Sequence, residues 1–161
     1  MRINSMNAKL LASSLLSVAA LSSINIVTAA NAEPTATLTV VVNGLKQHTS
    51  QICLRVFSNE RGFPRSNESE VKSACIPNTG TSVKKQFSGL KYGTYAVAIV
   101  DDENGDAKLN SNFLGIPEEG FGISRNPIVS ISTGSPKFSN ASFALRKNTT
   151  INIKMKYSLD S

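Results

Sequence analysis

No tryptophan occurs in the 161 residues, histidine occurs once and cysteine twice. Each scarcity removes a class of function. Without Trp, the buried indole packed on an inter-sheet disulfide that marks antibody-type domains is excluded. His48 stands alone in the polar stretch Lys46-Gln47-His48-Thr49. A histidine-based zinc centre therefore lacks its partners, and with no Gly-x-Ser-x-Gly elbow a Ser-His-Asp triad has no support either. No Cys-x-x-Cys spacing is present, which argues against dithiol redox chemistry. Aromatic residues make up 6% of the chain, and they do not interleave with a basic stripe. Nucleic acid is excluded as a partner on that ground.

A second long apolar run is also missing. The one that exists is N-terminal: Arg2 and Lys9 precede an apolar and small-residue core from Leu10 to Val27, and Ala30-Asn31-Ala32 follows as a small-x-small cleavage site. This pattern predicts a secretory signal peptide over residues 1–32 and a mature domain over 33–161. Serines and Asn25 interrupt the core, so a transmembrane anchor is the weaker reading, and no membrane span is expected after cleavage. Of the 17 basic residues, Arg2 and Lys9 leave with the signal, so 15 face 11 acidic ones, a net +4. A secreted or periplasmic location follows, and in that oxidising setting Cys53 and Cys75 read as one disulfide, with free thiols as the alternative.

The mature segment has strand periodicity and no sustained helical period. Leu38, Val40 and Val42 alternate with polar neighbours and end at the turn Asn43-Gly44. Ser50–Ser58 places Ile52, Leu54 and Val56 on one face. Short strands are expected at 71–76, 82–87, 128–132 and 141–145, with turns at 77–80 and 136–139. Phe63, in the polar loop 59–70, reads as a plug over one end of the fold. Residues 92–100 are nearly all apolar and belong at a sheet centre with both faces covered. Thr149–Tyr157 alternates Ile151, Ile153, Met155 and Tyr157 with polar residues. Seven to eight short strands with frequent turns predict an all-β fold, a Greek-key β-sandwich of immunoglobulin-like or transthyretin-like type with one long ordered loop.

That loop, residues 101–127, is where function is expected, because connections this long carry function or pack as Ω-type loops. Asp102, Asn104, Asp106 and Asn110 present oxygens at positions 1, 3, 5 and 9 of a calcium-loop frame, and Lys108 offers its backbone carbonyl at position 7. A hard cation wants 6–8 oxygens, and alternate residues of a wrapped chain can supply them. The frame resembles dockerin and EF-hand loops. Ala107 replaces their turn glycine and Phe113 their closing acid, so Glu118 or Glu119 would complete the shell. Against this, Asp, Asn and Gly are what any tight loop uses to satisfy its own amides. The carboxylate pairs Asp101-Asp102 and Glu118-Glu119 could in principle serve glycoside hydrolysis.

Several strings carry a resemblance. They are Gly89-Leu90 with Gly93-Thr94-Tyr95-Ala96, Asp102-Glu103-Asn104, Asn112-Phe113, Gly115-Ile116-Pro117, Glu119-Gly120-Phe121-Gly122 and Pro136-Lys137-Phe138 with Ala141 and Phe143. Together they resemble the bacterial exported family named domain of unknown function 2141, from about Leu38 to Tyr157. The resemblance implies an exported single-domain β-sandwich and brings no activity with it. Asp101, Ala107, Asn110, Ile123 and Arg125 depart from that family's usual residues. The segment Gly-Leu-Lys-Tyr-Gly-Thr-Tyr also resembles the turn of transthyretin-like and collagen-adhesin B-type domains, with Gly89 and Gly93 expected at positive φ and Leu90 and Tyr95 tucked inward.

The expected function is a non-catalytic binding or accessory module of the cell envelope, with an extracytoplasmic ligand or envelope component as partner. A calcium-dependent carbohydrate- or peptide-binding module is the alternative, with Ca²⁺ as the candidate cofactor. A hydrolase using Glu119 with Asp102 is the third reading.

Overall fold

The structure, a computed structural model, describes residues 33–46 and 49–160. The expected signal segment 1–32 and His48 lie outside these residues. Strand β1 (Thr35–Asn43) buries Ala36, Leu38, Val40 and Val42 and turns the residues between them outward, the period of two that a half-covered strand demands. It lies between β4 (Ser82–Lys91), antiparallel, and β8 (Thr149–Lys154), parallel. The five-stranded sheet contains β3 (Glu70–Pro77), β2 (Gln51–Phe57), β5 (Gly93–Asp102) and β6 (Gly120–Ile123) in that order, and β7 (Phe143–Leu145) pairs with the start of β5. One helix, α1 (Phe138–Ala141), is four residues long. The protein is therefore all-β, with two sheets and essentially no helix.

The apolar faces of the two sheets meet in one buried cluster. Leu38, Val40 and Ile153 come from the smaller sheet, and Leu54, Val97 and Ile99 from the larger. Each such side chain, fully removed from water, contributes roughly 2 kcal/mol. The larger sheet carries a second apolar face on its other side. There Phe57, Ala96, Ala98, Ile123 and Ala141 form a separate cluster. Phe63 sits edge-on to Phe57 at 5.2 Å and to Phe138 at 5.7 Å. Phe63 is thus a plug, but over the outer face of the five-stranded sheet and not over an end of the fold.

β5 is buried at eight consecutive positions, from Tyr95 to Asp102, in line with the expectation that both its faces are covered. Other boundaries differ from the pattern-based ones. The expected loop 101–127 contains β6, because Phe121 and Ile123 have one face to bury and pair with Val100 and Ala98. The expected strand 128–132 is irregular chain ending in a turn, since Ile128 and Ile131 are exposed and only Val129 is buried. The expected turn at 136–139 leads into α1. Gly89 does adopt positive φ (69°), but within β4, where the register against β1 shifts between Ala36 and Leu38. It is a bulge glycine and not a hairpin turn. Gly93 is not at positive φ. Its constraint is the Tyr95 ring, which would stand 3.3 Å from an added Cβ, and the Tyr95 hydroxyl donates to the Lys91 carbonyl at 2.8 Å. Both Leu90 and Tyr95 are buried, as expected.

Cys53 and Cys75 are direct cross-strand partners of β2 and β3 and form a disulfide. It fastens β3, an outer strand of its sheet, to the interior, and it closes a loop with a sequence separation of 22. Loop-closure entropy then assigns it about 3 kcal/mol. Replacing both cysteines by alanine should lower unfolding stability in urea by about that amount while the far-ultraviolet spectrum stays β-type. An unchanged unfolding midpoint would remove the bridge from the stability of the fold.

Candidate functional site

Asp101 and Asp102 end β5 and, being adjacent, point to opposite sides of the sheet. Asp101 is fully buried on the inner side, where it accepts from the Ser50 hydroxyl and the Tyr157 hydroxyl, each at 2.5 Å. Burial and then the bond to Asp101 raise the Tyr157 phenol well above its ordinary value. This phenol therefore favours the folded state up to its unfolded pKa and loses that contribution as pH climbs further. Asp102 faces the other side, 3.7 Å from Cys53 Sγ.

The polar loop beyond Asp102 is built on its own amides. Asp102 Oδ1 accepts from the N–H groups of Gly105 (2.8 Å) and Asp106 (3.2 Å), and Oδ2 accepts from Ala107 (3.0 Å). Asn104 Oδ1 accepts from Asp106 N–H, and Asp106 Oδ1 from Lys108 N–H, two successive Asx turns. Ala107 takes φ 57°, so the position where calcium loops use glycine does turn left-handed, though it carries a methyl group. Glu119, buried, spans the loop: Oε1 accepts from Glu103 N–H at 3.1 Å and Oε2 from Asn110 N–H at 3.0 Å. Every oxygen of Asp102 and Glu119 is thus engaged by a backbone donor. These bonds engage both carboxylate oxygens of Asp102 and Glu119 and one side-chain oxygen each of Asn104 and Asp106. Among the described residues no three His, Cys, Asp or Glu side chains are grouped to hold a metal.

Residues 110–118 form a small projection. Asn112 Oδ1 accepts from Leu114 and Ile116 N–H, Gly115 turns at φ 75°, and Ser111 bridges to Pro117. The projection carries Phe113, 94% exposed, and Leu114, 67% exposed, at its tip. Glu118 is exposed while Glu119 is buried, so neither expected carboxylate pair acts as a pair on one surface. Gly120 and Gly122 of β6 face the chain that follows β8: an added Cβ would stand 2.4 Å from the Tyr157 ring and 2.9 Å from Met155 Sδ. The tail is then held by reciprocal backbone bonds between Phe121 and Lys156, at 2.9 and 2.8 Å.

The same loop roofs a pocket of about 390 Å³ over the outer face of the five-stranded sheet. Ala98, Val100, Phe121 and Ile123 form its floor. Its walls come from three places: Pro64 and Arg65 of the 58–69 loop, residues 107–109 with 114–117, and residues 129–131 with 134–136 and Leu159 of the tail. The last wall is pinned by Asp160, whose Oδ2 accepts from Val129 N–H at 2.7 Å and from Lys156 Nζ at 2.5 Å. Those two contacts, the Lys156 bond first, hold the Asp160 carboxyl below its usual range. Arg65 Nε donates to Ser135 Oγ at 3.1 Å and ties two walls together.

The structure thus brings Lys108, Gly115 and Pro117 of the expected site residues to the pocket. It leaves Asp102, Asn104, Asp106, Asn110, Asn112 and Glu119 as the framework that shapes the roof. Pattern reading missed the floor. Its signal was the small-residue alternation Ala96, Ala98 inside the most apolar strand, which marks a face covered by something other than a tightly fitting sheet.

Asp102→Ala should lower stability by about 2 kcal/mol, because it removes charged acceptors from three amides at once. The loss is expected to be equal with and without millimolar calcium. Glu119→Gln should also destabilise, since an amide offers one acceptor where two donors point. A calcium-dependent rise in melting temperature that vanishes in Asp102→Ala would instead make the loop a cation site.

Comparison with curated proteins and with solved structures returned no match. Residues 40–153, most of the described chain, match one family, and the chain accordingly belongs to the uncharacterized proteins conserved in bacteria, DUF2141.

Proposed function

We propose that this chain is an exported, non-catalytic binding module of the bacterial cell envelope, folded as a Greek-key β-sandwich. Its ligand occupies the pocket on the outer face of the five-stranded sheet. That roofed apolar pocket is the observation that carries the reading. Sites for small ligands are concave and mostly apolar, of about 300–1,000 Å³, with a few polar groups at fixed positions. This one has the volume, an apolar floor, and Arg55, Arg65 and Lys108 among its lining residues.

The composition of the lining favours binding over turnover. Among the described residues it includes no Asp, Glu, His, Cys or Tyr, so no carboxylate, imidazole or phenol stands there as a general acid or base. Of the buried carboxylates outside it, Asp102 and Glu119 are engaged by loop amides and Asp101 by the hydroxyls of Ser50 and Tyr157. Export is supported by the Cys53–Cys75 disulfide, which persists in oxidising compartments, and by the leader-like pattern of residues 1–32. Mass spectrometry of the protein expressed in a bacterial host should find its mature N-terminus at Glu33 outside the cytoplasm. An intact Met1 terminus in the cytosolic fraction would overturn the export claim.

An uncharged, environment-sensitive probe such as N-phenyl-1-naphthylamine should bind the purified domain with one-to-one stoichiometry. Ala98→Phe, which places a ring on the pocket floor, should abolish the signal. Leu114→Ser, at an exposed position, should weaken it severalfold with the melting temperature unchanged within about 2 °C. A wild-type protein that leaves the probe dark, or an Ala98→Phe variant that binds as well as wild type, would defeat the proposal.

A further inference from the structure

The pocket's lining is chemically lopsided, and this deepens the reading just given, on which it rests. Among the described residues, three cationic side chains, Arg55, Arg65 and Lys108, contribute to the lining, and no anionic one does. Arg55 is already answered: its Nε meets Glu70 Oε2 at 2.5 Å, and its Nη1 donates to the Arg65 carbonyl at 3.2 Å. The other two keep their charge. Arg65 is exposed, and among the described residues its side chain donates to the neutral hydroxyl of Ser135 alone. Lys108 is exposed, its backbone N–H held by Asp106, and forms no ion pair with the described residues. Glu70 and Asp106 line the adjoining, more open depression over the disulfide, which Arg65 and Lys108 also border, and not the pocket.

Apolar side chains line both the floor and the mouth. Val100, Phe121 and Ile123 lie at the bottom, while Leu114 and Ile131, 67% and 80% exposed, stand on two different walls. Phe113, 94% exposed, lies just beside Leu114. Exposed apolar groups of this size, clustered at one opening, mark a surface that meets an apolar partner. At about 30 Å³ for each water-sized group, the volume of about 390 Å³ holds roughly a dozen non-hydrogen atoms.

We infer that the pocket takes a single-chain amphipathic anion. An unbranched hydrocarbon chain of about ten carbons lies on Val100, Phe121 and Ile123, and a carboxylate or phosphate head is held at the mouth by Arg65 and Lys108. The chemistry excludes the other classes. Sugars want stacking rings and directional acceptors, and among the described residues Phe121 is the one aromatic side chain in the lining. A cationic amphipath would face two like charges that form no ion pair with the described residues. A neutral hydrocarbon would gain nothing from Arg65 and Lys108. The guanidinium can grip either head in bidentate fashion, which leaves the choice between carboxylate and phosphate to measurement.

Displacement of N-phenyl-1-naphthylamine from the full mature domain at pH 7 tests this, with decanoate, decyl phosphate, decanol and decylammonium, each below its micellar concentration. At least one of the two anions should displace the probe about tenfold more tightly than decanol, as expected of a charge-assisted contact. Decylammonium should be the weakest. The advantage should shrink as salt is raised, and it should disappear in the double variant Arg65→Gln, Lys108→Gln. Both positions are exposed, and circular dichroism checks that the fold is retained. Equal displacement by the anions and decanol in wild type would overturn the anion preference while leaving the binding module standing. So would an anion advantage that survives the double variant. Failure of the probe to bind at all would instead remove the pocket reading beneath it.

Discussion

Burial of β5 on both faces is the constraint from which the rest follows. Its residues from Tyr95 to Asp102 are all buried, so each side of this strand must be covered by different parts of the chain. Val97 and Ile99 are met by the smaller sheet, with Leu38, Val40 and Ile153 opposite them in the same cluster. No second sheet covers the other side, and the short helix α1 is the one regular element there among the described residues. There the chain between β6 and β7, the 58–69 loop and the tail lie over Ala96, Ala98 and Val100. The polarity at the end of the strand follows the same division. Asp101, sealed on the inner side, has two hydroxyl donors, whereas Asp102 organises the loop that begins the outer cover. Neither carboxylate could be buried unanswered, because an ionised group without donors would cost several kcal/mol in that setting.

The tail reaches the pocket because β6 has no side chains in its path. Met155 and Tyr157 lie against Gly122 and Gly120 at distances that a Cβ would violate. This close approach permits the paired backbone bonds of Phe121 and Lys156, and the chain then runs on to Leu159 and Asp160. Asp160 in turn pins Val129. A backbone contact made possible by two glycines on the inner side thereby positions one wall of a pocket on the outer side. Phe121 and Ile123, the residues alternating with those glycines, form part of the floor, so one four-residue strand serves both faces.

Strand positions with a single buried face were legible from pattern alone. Leu38, Val40 and Val42 alternate cleanly, and the two-face burial of β5 showed as an unbroken apolar run. β6 was not legible, because Gly-Phe-Gly-Ile reads as a turn-rich segment. Its glycines answer to contacts with Tyr157 and Met155, more than thirty residues away, which no local pattern encodes. Val129 and Ile131 look like a strand for the opposite reason, since their spacing is right but only Val129 finds cover. In the polar loop, residue types announced an ordered segment and could not say whether their oxygens would turn to a cation or to the loop's own amides. Asp102 and Glu119 each engage donors from several residues along the chain, a result of loop closure that spacing does not determine.

The outer face of the larger sheet shows two treatments of one apolar surface. Toward the start of β5, the small residues Ala96 and Ala98 are matched by rings, with Phe57, Phe63 and Phe138 stacked edge to face above them. Toward its end, Val100 lies beside its cross-strand partner Phe121, and the segments above them stand off to leave the pocket. The roof is held there by polar means, through Asn112, Asp160 and the Arg65–Ser135 bond, and not by apolar filling. A roof fixed at its edges and open at its centre keeps its shape when the space beneath is empty. Less ordering entropy is then lost when a molecule enters, which is what allows a small apolar contact area to yield useful affinity.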